Sequence, residues 1–124
     1  MKDIQTRADI ETLMAQFYQR LLHDADISYI FTDVAQINLE EHLPHIVDFW
    51  EQNILGIGSY SNNVLKIHQQ LNAKVQLESY HFETWLSHFN ATIDLNFRGE
   101  RAETMKTRAL SIATVMKIKM QKPV

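Results

Sequence analysis

The sequence predicts an all-α fold, on three observations. Hydrophobic residues recur at three- and four-residue intervals through several long stretches, the period of a helix with one buried face. Chain breakers are scarce, with 3 glycines and 2 prolines in 124 residues, which disfavours a turn-rich sheet protein. Strand-like alternation is weak throughout, so about five helices are expected. The length suits one domain over residues 1–124 with one contiguous core.

The first helix carries Ile10, Leu13, Met14, Phe17, Tyr18, Leu21 and Leu22 on one stripe. Thr6 or Asp9 can cap its start, and His23-Asp24-Ala25-Asp26 ends it. A short apolar piece, Ile27 to Phe31, leads into a polar stretch reaching Gln36. Asn38, with Glu41 three residues later, resembles a capping pair. The second helix then turns Leu39, Leu43, Ile46, Val47, Phe49, Trp50 and Ile54 inward. Pro44 lacks an N–H and disfavours helical geometry at Leu43, so the helix either begins near His42 or kinks. Gly56 and Gly58 terminate it.

Asn62-Asn63 can cap a short helix bearing Val64, Leu65, His68 and Leu71. A looser segment covers Asn72 to Glu78. Ser79 is the expected cap of the next helix, whose inner stripe is Phe82, Trp85, Leu86, Phe89 and Ile93. Gly99 breaks the pattern. The last helix aligns Ala102, Met105, Ala109, Ile112, Ala113, Met116 and Met120.

Composition removes several classes of function. The 45% hydrophobic content is that of a folded globular chain. A net charge of -3 without a strongly basic patch argues against nucleic acid. The absence of cysteine excludes disulfides, thiolate zinc sites, iron–sulfur clusters and cysteine nucleophiles. Any metal must be held by His, carboxylate, Tyr or Met. No stretch has the length of a membrane span and the N-terminus does not read as a signal peptide, so a cytoplasmic location is expected.

His68 lies on its short helix among apolar neighbours. It reads either as a partly buried core histidine or as an axial ligand to haem iron, binding through one ring nitrogen. His42 and His45 are three apart on one helix, with Asp48 three further on. They read as a His/His/Asp metal site, as solvated polar residues, or as a pocket-facing His42 with His45 at the rim. Tyr18 is either plain core or a hydroxyl donor to bound dioxygen. Trp85 fills core or offers its indole N–H, which needs a partner when buried. Phe31, Phe49, Trp50 and Phe89 pack either a flat ligand or one another.

The ordered set Phe17-Tyr18, Ile30-Phe31, His42-Leu43-Pro44, Phe49-Trp50, Leu55-Gly56, Tyr60, His68, His81-Phe82, Trp85-Leu86 and Phe89 resembles the truncated haemoglobins, specifically group III. The resemblance runs from about Ile10 to Met120. It implies a truncated globin fold, two helices packed over two, with a haem b cofactor. It implies that His68 is the proximal ligand to iron and that Tyr18 is the distal tyrosine. Phe31 then braces the haem edge, His42 faces the iron, Trp85 is the pocket tryptophan and His45 meets a propionate. Phe49, Trp50 and Phe89 are expected against the haem, and Ile46 beside the bound gas. Departures are Asn62 and Val64, where the family commonly has Gly and Pro, and Leu39, where an aromatic is often found.

The expected function is reversible binding of oxygen, NO or CO at one haem iron. Oxidation of nitric oxide or a peroxidase-like activity is a further expectation and needs an external reductase, since the chain carries no flavin or nicotinamide motif. The alternatives are a non-haem metal protein using His42, His45 and Asp48 with carboxylates such as Glu41, and a cofactor-free helical interaction module.

Overall fold

The computed structural model describes residues 1–31, 39–56 and 78–120. Among these residues there are four α-helices and no strand: α1 (Arg7–Leu22), α2 (Leu39–Trp50), α3 (Ser79–Asn96) and α4 (Glu100–Met120). A π-helical turn, Glu51–Leu55, continues α2. The α1/α2 pair packs over the α3/α4 pair, α1 meeting both α2 and α3, and the π turn touching α4. This is the two-over-two arrangement that the sequence suggested. The segments around Asn38, Gly58, Tyr60, Asn62 and His68 lie outside the described residues.

Helix α1 starts where its chemistry allows. Thr6 is the N-cap and takes the Asp9 amide, while the Asp9 carboxylate takes the amides of Thr6 and Gln5. Both candidate caps are therefore used. Ile10, Leu13, Met14, Phe17, Tyr18 and Leu21 are all buried, as the stripe predicts.

Helix α2 begins at Leu39, not at His42, so Pro44 stands inside it and not in its first turn. Pro44 has no N–H to donate, so one i→i+4 hydrogen bond of the usual helical ladder is not made there. Val47 and Trp50 are buried, while Leu43, Ile46 and Phe49 are half-buried. The π turn was not legible in the sequence. It ends at Gly56, whose φ of 70° is the left-handed cap conformation that a Cβ disfavours.

Helix α3 is capped by Glu78, not Ser79. The Glu78 amide donates to His81 Nδ1 at 2.8 Å, which satisfies a helix-start N–H with an imidazole. Phe82, Phe89 and Ile93 are buried, as are His81 and Thr92. Helix α4 buries Ala102, Met105, Ala109, Ala113 and Met116. Its start is held from a distance. Asp3 accepts the amides of Arg101 and Ala102, each at 2.9 Å, and Arg101 Nη1 donates to the Ile4 carbonyl. Ile4 itself is fully buried. The N-terminal segment thus closes the end of the core while capping α4.

Candidate functional site

Tyr18 closes the inner stripe of α1 and is 6% exposed. Burial pushes its hydroxyl well above the ordinary value of 10.0, so it stays protonated at any working pH. Its Oη lies 2.7 Å from His42 Nε2, and the two rings meet edge to face at 5.1 Å. His42 reaches this position because it sits one turn inside α2, which packs on α1. The sequence singled out both residues but did not pair them.

Phe31 meets the Tyr18 ring edge to face at 6.1 Å. Phe17, behind Tyr18, forms the hub of an aromatic wall. Its ring contacts Tyr18 at 5.3 Å, Trp85 at 5.5 Å and Phe89 at 5.1 Å. Trp85 stacks on Phe89 at 5.2 Å. Trp50 tilts against Phe89 at 5.2 Å and against Phe49 at 5.1 Å. The fold therefore gathers Tyr18, Phe31, His42, Phe49, Trp50, Trp85 and Phe89 through direct or shared contacts. Trp50 and Phe89 are buried, whereas Phe31, Ile46, Phe49 and Trp85 are half-buried. His45 is exposed on α2. His68 lies outside the described residues.

The carboxylate proposed beside His42 and His45 is engaged elsewhere. Asp48 accepts from Arg7 Nη1 at 2.7 Å, and the same guanidinium reaches Glu51 at 3.0 Å. Among the described residues, no group of three His, Cys, Asp or Glu side chains gathers to hold a metal ion. A His/His/Asp site on α2 is thus not assembled.

Two histidines near the site were given no role by the sequence. His81 is 5% exposed, and its Nδ1 accepts the Glu78 amide. Its Nε2 must then carry the proton, and it donates to Tyr29 Oη at 3.1 Å. Burial lowers its pKa, partly opposed by Glu78. His88 Nε2 lies 2.7 Å from Asp24 Oδ2. That hydrogen bond, with the Asp26 amide, holds the Asp24 carboxyl below its ordinary value. The available signal was positional: His81 and His88 flank Trp85 on an otherwise apolar stripe.

The bacterial-like globin family matches residues 2–122. The group 3 truncated hemoglobin of Campylobacter jejuni subsp. jejuni is 32% identical over 108 residues, covering 85% of this chain and 83% of that protein. The crystal structure of the group III truncated hemoglobin from Campylobacter jejuni superposes with a TM-score of 0.85 at 27% identity, covering 98% of this chain and 97% of that one. The helical layers, the hydrogen-bonded tyrosine–histidine pair on facing helices and these matches agree: the chain belongs to the bacterial-like globins and, within them, to the group III truncated haemoglobins.

Proposed function

We propose that this globin binds haem b through His68 and holds a small diatomic gas on the opposite side, beside Tyr18, His42, Ile46 and Trp85. One observation carries the reading: the buried Tyr18 hydroxyl lies 2.7 Å from the half-buried His42 imidazole, on an aromatic wall of which Phe31, Phe49 and Trp85 are only half-buried. A polar pair at the edge of an oily wall fits a flat, apolar group with a polar centre better than it fits a closed core. Family membership implies a haem cofactor. Phe31, Phe49, Trp50 and Phe89 would pack the macrocycle, and the exposed His45 would meet a propionate. When bound, the haem supplies the iron at which the gas is held.

The protein's part is to exclude water and to offer a donor. The Tyr18–His42 hydrogen bond has two polarities. With His42 Nε2 unprotonated, Tyr18 donates to it. With His42 Nε2 protonated, the imidazole donates to Tyr18 Oη, and the phenol proton is released to a ligand in the pocket. Tyr18 is then a donor held in readiness, and His42 decides whether its proton is engaged. The indole of Trp85 is the second donor on this wall.

Oxidation of nitric oxide or reduction of peroxide at the same site consumes electrons that no residue here supplies. Either activity needs an external reductase. No helix among the described residues is long and apolar enough to cross a membrane, and the reading is of a cytoplasmic protein.

The test is spectroscopic. Purified protein given hemin should show an intense band near the violet edge, which moves on reduction and again with carbon monoxide. His68→Ala should lose haem readily and melt lower, since a native-state ligand adds about 4 kcal/mol at a thousandfold excess over Kd. A protein that stays colourless with added hemin would end the proposal.

A further inference from the structure

We infer that His81 and His88 are positioning residues for Trp85, their hydrogen bonds to Tyr29 and Asp24 setting the direction in which the indole N–H enters the pocket. The inference rests on the reading of Trp85 as a pocket donor.

Residues 81, 85 and 88 fall at i, i+4 and i+7 of α3, on one stripe of the helix. Trp85 is thus flanked by a histidine one turn before it and another one turn after it. Both histidines bond the same short segment between α1 and α2: His81 to Tyr29 at 3.1 Å, His88 to Asp24 at 2.7 Å. One bond would let the helix pivot about it. Two bonds, about 10 Å apart along the axis, fix both its slide and its rotation against that segment. The direction of a side chain between them follows.

The segment is a firm reference. The Asp24 carbonyl accepts the amides of Ile27 and Ser28 at 3.1 and 2.8 Å, and its carboxylate accepts the Asp26 amide at 2.9 Å. Further along it, Phe31 meets the Tyr18 ring. Trp85 and Tyr18 are therefore both oriented against one short piece of chain. The imidazoles are themselves oriented, His81 by the Glu78 amide and His88 by Asp24.

Burial alone does not call for histidine here. An apolar pair of similar shape would pack α3 without desolvating two rings, and such exchanges are often neutral or stabilising. His88 Nδ1 is buried without a hydrogen-bond partner, a cost that packing does not explain. Directional bonds at two points supply what apolar contacts lack, a defined rotation.

The experiment compares His81→Leu and His88→Leu with His81→Gln and His88→Gln, which keep an N–H donor. The readouts are the indole N–H resonance of Trp85 in the carbon-monoxide form and the rate of oxygen release. Each Leu variant should move the resonance and speed release about fivefold, the worth of one ordinary hydrogen bond. Each Gln variant should restore both. Asp3→Ala, which weakens the distant cap of α4, should lower the melting temperature and move neither. Leu variants that melt lower yet keep the wild-type resonance and release rate overturn the inference, as do Gln variants that behave like Leu. Should the Leu variants fail to fold, Asp24→Asn and Tyr29→Phe probe the same bonds more gently. A wild-type protein that takes no haem sinks the functional proposal, while the Trp85 resonance of the haem-free variants still decides the positioning role.

Discussion

Tyr18 and His42 stand 24 positions apart in the chain, yet their polar atoms approach to 2.7 Å across the α1–α2 contact. On the function proposed above, the Tyr18 proton is either held by the imidazole or given to a bound ligand, and the two uses compete.

That competition predicts opposite signs for two substitutions. Tyr18→Phe removes the donor and should speed oxygen release by about ten- to a hundredfold, the worth of a hydrogen bond with ionic character. His42→Leu removes the competitor and should slow release. Stopped-flow displacement of oxygen by carbon monoxide measures both. If both variants speed release alike, His42 is a second donor and no competitor.

Asp3→Ala should destabilise the fold by about 1–2 kcal/mol, the usual loss for a helix cap. The carboxylate of Asp3 takes the first amides of α4, which no other element replaces among the described contacts. Burial pushes the Asp3 carboxyl up, but the amides of Arg101, Ala102 and Ile4 outweigh this and hold it below 3.8. A depressed carboxyl stabilises fully above its unfolded pKa and less as pH falls through its folded one. The gap between variant and wild type should therefore close in strong acid, as thermal melts at neutral and acidic pH will show.

Gly99→Ala should destabilise more than an ordinary surface change. Gly99 has φ of 150°, and an added Cβ would lie 2.5 Å from Asp3 Cγ. Both the backbone conformation and the close approach demand glycine. The same strand of contacts caps α4, so Gly99→Ala and Asp3→Ala should be less than additive in a double-mutant cycle.

Acid should weaken the fold through His81. Its pKa lies below the ordinary 6.5 because the ring is buried, so the native state favours the neutral form. For a depressed base, the unfolded chain binds more protons, and stability falls as pH drops from 6.5 through the folded value. Protonation of Nδ1 also ends its acceptance of the Glu78 amide. The groups facing the ring are Glu78, Tyr29 and Tyr80, of which only Glu78 opposes the effect by charge. Melting temperature should decline over this range, and His81→Gln should flatten the decline.

Helical periods and the buried stripes of α1, α3 and α4 were legible from residue order alone. These properties are local: a helix turns its buried positions to one side every three or four residues, whatever it packs against. Who bonds whom was decided by the tertiary fold. Tyr18 with His42, Tyr29 with His81, Asp24 with His88 and Asp3 with Arg101 join residues 24, 52, 64 and 98 positions apart. Asp48 went to Arg7 and not to a metal, and the cap of α3 moved to Glu78, for the same reason. A hydrogen bond needs its atoms placed to within a few tenths of an ångström. Helix crossing angles set such placements, and those angles emerge only when all the stripes pack together.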